Sequence, residues 1–173
     1  VLLIPQTKIW IQLIIIPSLS PASYKMKKLI LTALSFVLST AAFSQILTPV
    51  KWSYAAKKID SEQAIVFIKA TIDKGWHIYS QHLADGGPIK TSLKFEKNDN
   101  YILVGNTTEP KPVSKYEKSF SMNVQYFEQS VIFQQKVKLK SGQTSVNGTV
   151  NFMACNDKQC LPPDDVEFNI PVK

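Results

Sequence analysis

The sequence predicts an antiparallel β-sandwich of the immunoglobulin type, and three observations predict it. From about residue 50 onward, short runs rich in β-branched and aromatic residues recur at a spacing of roughly 8–12 residues. Turn signals built from Gly, Pro, Asn and Asp separate those runs. No stretch keeps a helical period.

The elements follow in order. Lys51–Tyr54 reads as a short strand with Trp52 and Tyr54 on one face. Ala64–Ile72 is a longer strand rich in β-branched residues, and Asp73-Lys74-Gly75 turns the chain. Trp76–Tyr79 resumes as a strand, with Trp76 and Ile78 on one side and His77 and Tyr79 on the other. Gln81–Lys90, containing Gly86-Gly87-Pro88, is a loop. Leu93 and Phe95 alternate in the next strand, and Tyr101–Val104 makes another. Glu109-Pro110-Lys111-Pro112 breaks the pattern, and Ser114–Asn123, polar with a lone Phe120, reads as a loop. Val124–Phe127 and Ser130–Leu139 are strands, with Ser141-Gly142-Gln143 as a turn. Thr144–Ala154 leads to the cysteines, and Val166, Phe168 and Ile170 alternate in a last strand. The total is eight or nine strands.

The N-terminal stretch has a different composition. Residues 1–44 hold Lys8, Lys25, Lys27 and Lys28 and no acid. Met26-Lys27-Lys28, the apolar run Leu29–Leu38 and the small-residue end at Ser44 form a secretory signal peptide over residues 26–44. The apolar run is too short to span a membrane, which takes roughly 20 residues. The expected mature start is Gln45, with residues 1–25 as upstream translation. The whole chain carries 20 basic and 13 acidic residues. Residues 45–173 therefore keep 16 bases against the 13 acids, a net charge of about +3. That balance, with no basic stripe interleaved with aromatics, speaks against a nucleic-acid partner. A chain of this size buries roughly two-thirds of its unfolded surface and does not need a disulfide to fold.

The chemistry centres on Cys155 and Cys160, the only two cysteines. A strand precedes them, Pro162-Pro163 and another strand follow, and four polar residues separate them. Antiparallel neighbours have Cα atoms about 4.5–5.5 Å apart and a disulfide wants about 4.4–6.8 Å, so the pair can close at the neck of a tight loop. Closing so small a loop removes only about 2 kcal/mol worth of unfolded-state entropy. Spacing alone leaves three readings open: a structural bridge, a redox couple, or a metal site in which His77 and His82 join the two sulfurs. The ordinary readings of those histidines are a partly buried strand residue and a solvated loop residue. Asn106-Thr107-Thr108 and Asn147-Gly148-Thr149 match glycosylation acceptors.

Three runs carry a resemblance: Gly75-Trp76-His77-Ile78-Tyr79-Ser80, Thr91-Ser92-Leu93-Lys94-Phe95-Glu96, and Ala154-Cys155-Asn156-Asp157-Lys158-Gln159-Cys160-Leu161-Pro162-Pro163. Together they resemble the N-terminal periplasmic domain of the DsbD family of thiol:disulfide interchange proteins, over essentially all of residues 45–173. The most specific part is the Cys-loop-Cys followed by Pro-Pro. The resemblance implies an immunoglobulin-like fold with one redox pair in a turn, no cofactor and no metal, in the periplasm of a Gram-negative bacterium. It implies electrons arriving from a membrane transporter through its thioredoxin-like domain. They would leave to a periplasmic disulfide isomerase or a cytochrome c maturation thioredoxin. Carried over by position, Cys160 is the attacking and leaving sulfur and Cys155 the resolving one. Tyr79 and His77 match aromatic positions beside the pair, and Phe120 in the Ser114–Asn123 loop is the cap residue.

Two departures stand out. The cysteines are four residues apart where better-known members have five. No membrane helices or thioredoxin-like domain follow the domain before Lys173, so the expectation is a stand-alone shuttle fed by a separate protein. The competing expectation, from a different class, is an exported immunoglobulin-like binding module with a purely structural bridge.

Overall fold

The computed structural model describes residues 47–140 and 143–173. The expected signal peptide, its expected cleavage site, the stretch read as upstream translation and most of the Ser141–Gln143 turn lie outside the described residues. Among the described residues there are eleven strands and no helix, so none is long and apolar enough to cross a membrane. The strands are β1 (Val50–Lys58), β2 (Gln63–Ile72), β3 (His77–Tyr79), β4 (Ser92–Phe95), β5 (Tyr101–Thr108), β6 (Val113–Glu117), β7 (Met122–Glu128), β8 (Ser130–Leu139), β9 (Thr144–Phe152), β10 (Ala154–Cys155) and β11 (Asp164–Val172).

They form three antiparallel sheets, ordered β1-β2-β8-β5, β10-β3-β7-β6 and β11-β9-β4. The fold is an all-β, immunoglobulin-like antiparallel sandwich, as expected. Period-2 patterning drives it: β8 alternates exposed and buried residues along its whole length. Its inward residues Val131, Phe133 and Val137 join Val66 and Ile68 of β2, Val146 and Val150 of β9, and Phe168 and Ile170 of β11 in one core. Each such buried side chain contributes roughly 1.5–3 kcal/mol through removal from water. Trp52 stacks edge-on against Phe152 at 5.2 Å, which ties β1 across to the end of β9.

Three expectations need correction. There are eleven strands among the described residues, more than eight or nine. The first runs to Lys58, because Ala55–Lys58 pairs with Ala64–Phe67 in full register. Ser114–Asn123 is no open loop: β6 pairs with β7 from Val113↔Tyr126 to Glu117↔Met122, and only Lys118–Ser121 is the tip. Strand β6 is an edge strand with four of five residues exposed, so no buried face imposes an alternating pattern on its sequence.

Two backbone features set up the site. At Gln129 the chain takes φ 61° and passes from β7 in one sheet to β8 in another, with Gln129 O accepting from Ile72 N at 2.8 Å. Farther on, β9 and β11 pair along their full lengths up to Phe152↔Asp164. Residues 153–163 then leave that sheet, and β10 joins the edge of β3 in a neighbouring one. Pro162 and Pro163 have no N–H to give, which ends the pairing on the return arm.

Gly148 sits at the centre of β9, paired with Phe95 on one side and Phe168 on the other. A Cβ there would stand 2.5 Å from Phe168 Cζ and closer still to the Lys94 carbonyl oxygen. We predict that Gly148→Val lowers stability by about 1–3 kcal/mol through overpacking, read as a fall in the urea midpoint; an unchanged midpoint would contradict this packing.

Candidate functional site

The excursion holding the cysteines is a miniature hairpin. Asn156 N donates to Gln159 O at 2.9 Å, and Leu161 N donates to Ala154 O at 2.9 Å. Cys155 and Cys160 face each other between those two bonds as a non-hydrogen-bonded antiparallel pair. Such pairs bring backbones closest together. Here the Cα atoms are 4.0 Å apart, nearer than expected, and the sulfurs are bonded at 2.00 Å. Asn156 shapes the turn: its Oδ1 accepts from Lys158 N at 2.8 Å and Gln159 N at 2.9 Å. This is the Asx-turn role that suits Asn at a turn's first position.

The two cysteines differ in environment. Cys155 is 1% exposed and belongs to a second, smaller buried cluster with Tyr79, Leu83 and Val124. Cys160 is exposed. The patch β10-β3-β7 therefore works on two faces. Ala154, Ile78 and Phe127 point into the main core, while Cys155, Tyr79 and Val124 pack on the other side.

His77 stands directly opposite Cys155 in the β10–β3 ladder. Its Nε2 is 3.2 Å from Tyr79 Oη, and its ring lies 5.0 Å from that of Tyr126. Burial holds the His77 pKa below its ordinary value; Glu128 opposes that shift and Lys115 adds to it. Tyr79 is anchored from behind, its carbonyl accepting from Thr91 Oγ1 at 2.5 Å. The next residue, Ser80, donates its hydroxyl to Glu109, whose other oxygen accepts from Gln81 N at 3.0 Å. One carboxylate thus ties the end of β3 to the segment leading into β6.

A pocket of about 500 Å³ opens over the bridge. Both cysteines, His77, Tyr79 and Phe120 line it, and Tyr116 of β6 lines it too. All five expected site residues are therefore together, with Phe120 half-buried at the hairpin tip. The tip is held by Phe120 N donating to Glu117 O at 3.2 Å and by Ser121 at φ 54°. His82, weighed as a metal ligand, lies exposed in the loop after β3 and is not among the residues around this pocket. Sequence reasoning missed the β6 wall and Tyr126. A period-2 reading of Val124 and Tyr126 as one face of β7 was the available signal for the latter.

Burial first, and then the Glu117 carboxylate, push the Tyr79 pKa up to about 12. The folded state thus holds this proton more tightly than the unfolded chain does. The associated stability is complete below pH 10 and lost as pH rises from about 10 to 12. A tyrosinate absorbance titration should show one tyrosine ionising near pH 12 that disappears in Tyr79→Phe; tyrosines that all ionise near 10 would contradict this environment.

Comparison with known proteins identifies the family. The profile of the family described as "Thiol:disulfide interchange protein DsbD, N-terminal" matches residues 44–171. No curated protein matches the chain. Among solved structures, the N-terminal periplasmic domain of ScsB from Proteus mirabilis is 17% identical with a TM-score of 0.53. That match covers 72% of this chain and 48% of that one, so this chain spans about half the length of the ScsB domain. The reduced DsbD N-terminal domain of Neisseria meningitidis is 17% identical, with a TM-score of 0.44 and coverage of 68% and 82%. A complex between the DsbD and PilB N-terminal domains of the same organism gives 16% identity, a TM-score of 0.48 and coverage of 73% and 88%. The chain belongs to the family of DsbD N-terminal thiol:disulfide interchange domains.

Proposed function

We propose that the Cys155–Cys160 bridge is a working redox couple through which this domain passes electrons between exported proteins in the periplasm. The observation that carries the reading is the asymmetry of one bond: Cys160 is exposed at the mouth of a pocket while Cys155 is 1% exposed beneath it. A visiting sulfur can reach only one end. The other end is protected while it waits to close the bridge again.

The steps follow the rules of thiol–disulfide exchange. A donor thiolate attacks Cys160 Sγ, forming a donor–Cys160 disulfide; the Cys155–Cys160 bond breaks and its electron pair leaves on Cys155, which takes up a proton. The donor's second thiolate attacks the donor's own bridged sulfur and releases Cys160 as a thiolate. The domain now holds two more electrons and the donor is oxidised. Cys160 thiolate then attacks an acceptor disulfide, and Cys155 resolves that mixed disulfide, restoring the bridge and leaving the acceptor reduced.

The donor on this reading is the thioredoxin-like domain of a membrane electron transporter. The acceptor is a periplasmic disulfide isomerase or a cytochrome c maturation thioredoxin. Export by a signal peptide at residues 26–44 belongs to the same reading, with residues 45–173 as the working domain. Phe120, Tyr79 and His77 line the pocket over the bridge, and on this reading Phe120, on its hairpin tip, is the cap that a docking partner displaces. The small entropy that the bridge removes from the unfolded chain, about 2 kcal/mol worth, gives it little value as a brace.

Two predictions follow from the asymmetry. Cys155→Ser should accumulate mixed disulfides through Cys160 in cells, visible as thiol-sensitive adducts on non-reducing gels, whereas Cys160→Ser should not; equal or absent trapping in both contradicts the assignment. Phe120→Ala should speed reduction of the bridge by dithiothreitol severalfold without shifting the unfolding midpoint comparably; an unchanged rate removes Phe120 from the cap.

A further inference from the structure

We infer that His77 is the general base for Cys155, accepting its proton when the buried thiol attacks a mixed disulfide and returning it when the bridge opens. This rests on the redox reading above and assigns a proton path to it. The problem is set by burial. Cys155 reacts only as a thiolate, yet it sits 1% exposed in an apolar cluster, where the charged form is disfavoured. Solvent cannot readily take its proton.

Geometry selects the acceptor. His77 and Cys155 are direct cross-strand partners. Such partners share a face with Cβ atoms about 4.5–5.5 Å apart, so the imidazole is within reach of the sulfur. Tyr79 fixes the ring from the other side, 3.2 Å from Nε2 and 1% exposed. In the tautomer that leaves a base for Cys155, Nε2–H donates to Tyr79 Oη and the lone pair is on Nδ1, the nitrogen left for the sulfur. Tyr126 packs against the ring. The charges that face His77 come from three elements: Glu128 opposite it on β7, Lys115 and Glu117 on β6, and Asp157 in the cysteine turn. Burial nevertheless wins over the nearby carboxylates and holds His77 below its ordinary pKa, which keeps it neutral and able to accept at pH 7.

The step balances. In the Cys160–partner mixed disulfide, Nδ1 takes the Cys155 proton. The Cys155 thiolate attacks Cys160 Sγ, the Cys155–Cys160 bond forms, and the Cys160–partner bond breaks with its electron pair leaving on the partner sulfur. The imidazolium then gives its proton to water. In the opposite direction the imidazolium protonates Cys155 as it departs.

The test uses the reduced full chain and the chromogenic disulfide dithiobis(nitrobenzoate). One nitrothiobenzoate is released as Cys160 forms the mixed disulfide, and a second as Cys155 resolves it. The second phase should slow at least about tenfold near neutral pH in both His77→Phe and His77→Gln. In wild type its rate should bend at an acidic-to-neutral pKa that both variants lack. The first phase should change far less. His77→Gln keeps a group able to donate to Tyr79, so loss of packing alone predicts that it behaves like wild type. Variants that match wild type in the second phase at every pH overturn this role alone. A wild-type chain that never releases the second equivalent overturns the shuttle reading and this role with it.

Discussion

The site depends on one backbone constraint: Cys155 and Cys160 are forced to face each other as a non-hydrogen-bonded antiparallel pair. Two backbone bonds enclose them, Asn156 N to Gln159 O and Leu161 N to Ala154 O, each 2.9 Å long. The Asn156 side chain closes the turn, and Pro162-Pro163 stops the arms from continuing as a ladder. The sulfurs are therefore held in bonding range by the hairpin itself. Neither backbone bond involves a sulfur, so opening the bridge does not of itself require breaking them.

The same hairpin explains the asymmetry of the two sulfurs. Residues 153–163 leave the β9–β11 sheet and attach to the edge of β3 through β10. The arm that attaches carries Cys155 under the Tyr79 and Val124 cluster. The return arm pairs only with β10, with no further strand beyond it among the described residues, and Cys160 remains exposed on it. The β6–β7 hairpin then rises beside the pair and brings Phe120 over it. Burial, reach and cover all follow from which arm finds a partner strand.

Much of this was legible from the sequence, and for physical reasons. Period-2 alternation is strongest where one face meets a core, so β8 was read with its bounds, Ser130–Leu139. The bridge was legible because two cysteines flank a turn between strand signals. Strand β6 was not, because Val113 and Tyr116 are both exposed on an edge and nothing forces them onto one face. The antiparallel pairing of the strands on either side of the cysteine loop was legible as well, but its register, with Phe152 opposite Asp164, was not, since register is not set by local composition. The site residues Tyr79, His77 and Phe120 came from family resemblance; the geometry gathers them around one pocket.

The central claim is that this bond is made to be exchanged, and its equilibrium reduction potential tests that most directly. Equilibrating the full chain against a thioredoxin-fold protein of known potential and counting free thiols gives the value. The account predicts a potential within about −180 to −270 mV, where periplasmic and thioredoxin-like couples trade electrons. A potential below roughly −300 mV, with the bridge intact against such reductants, would contradict it and return the disulfide to a structural role.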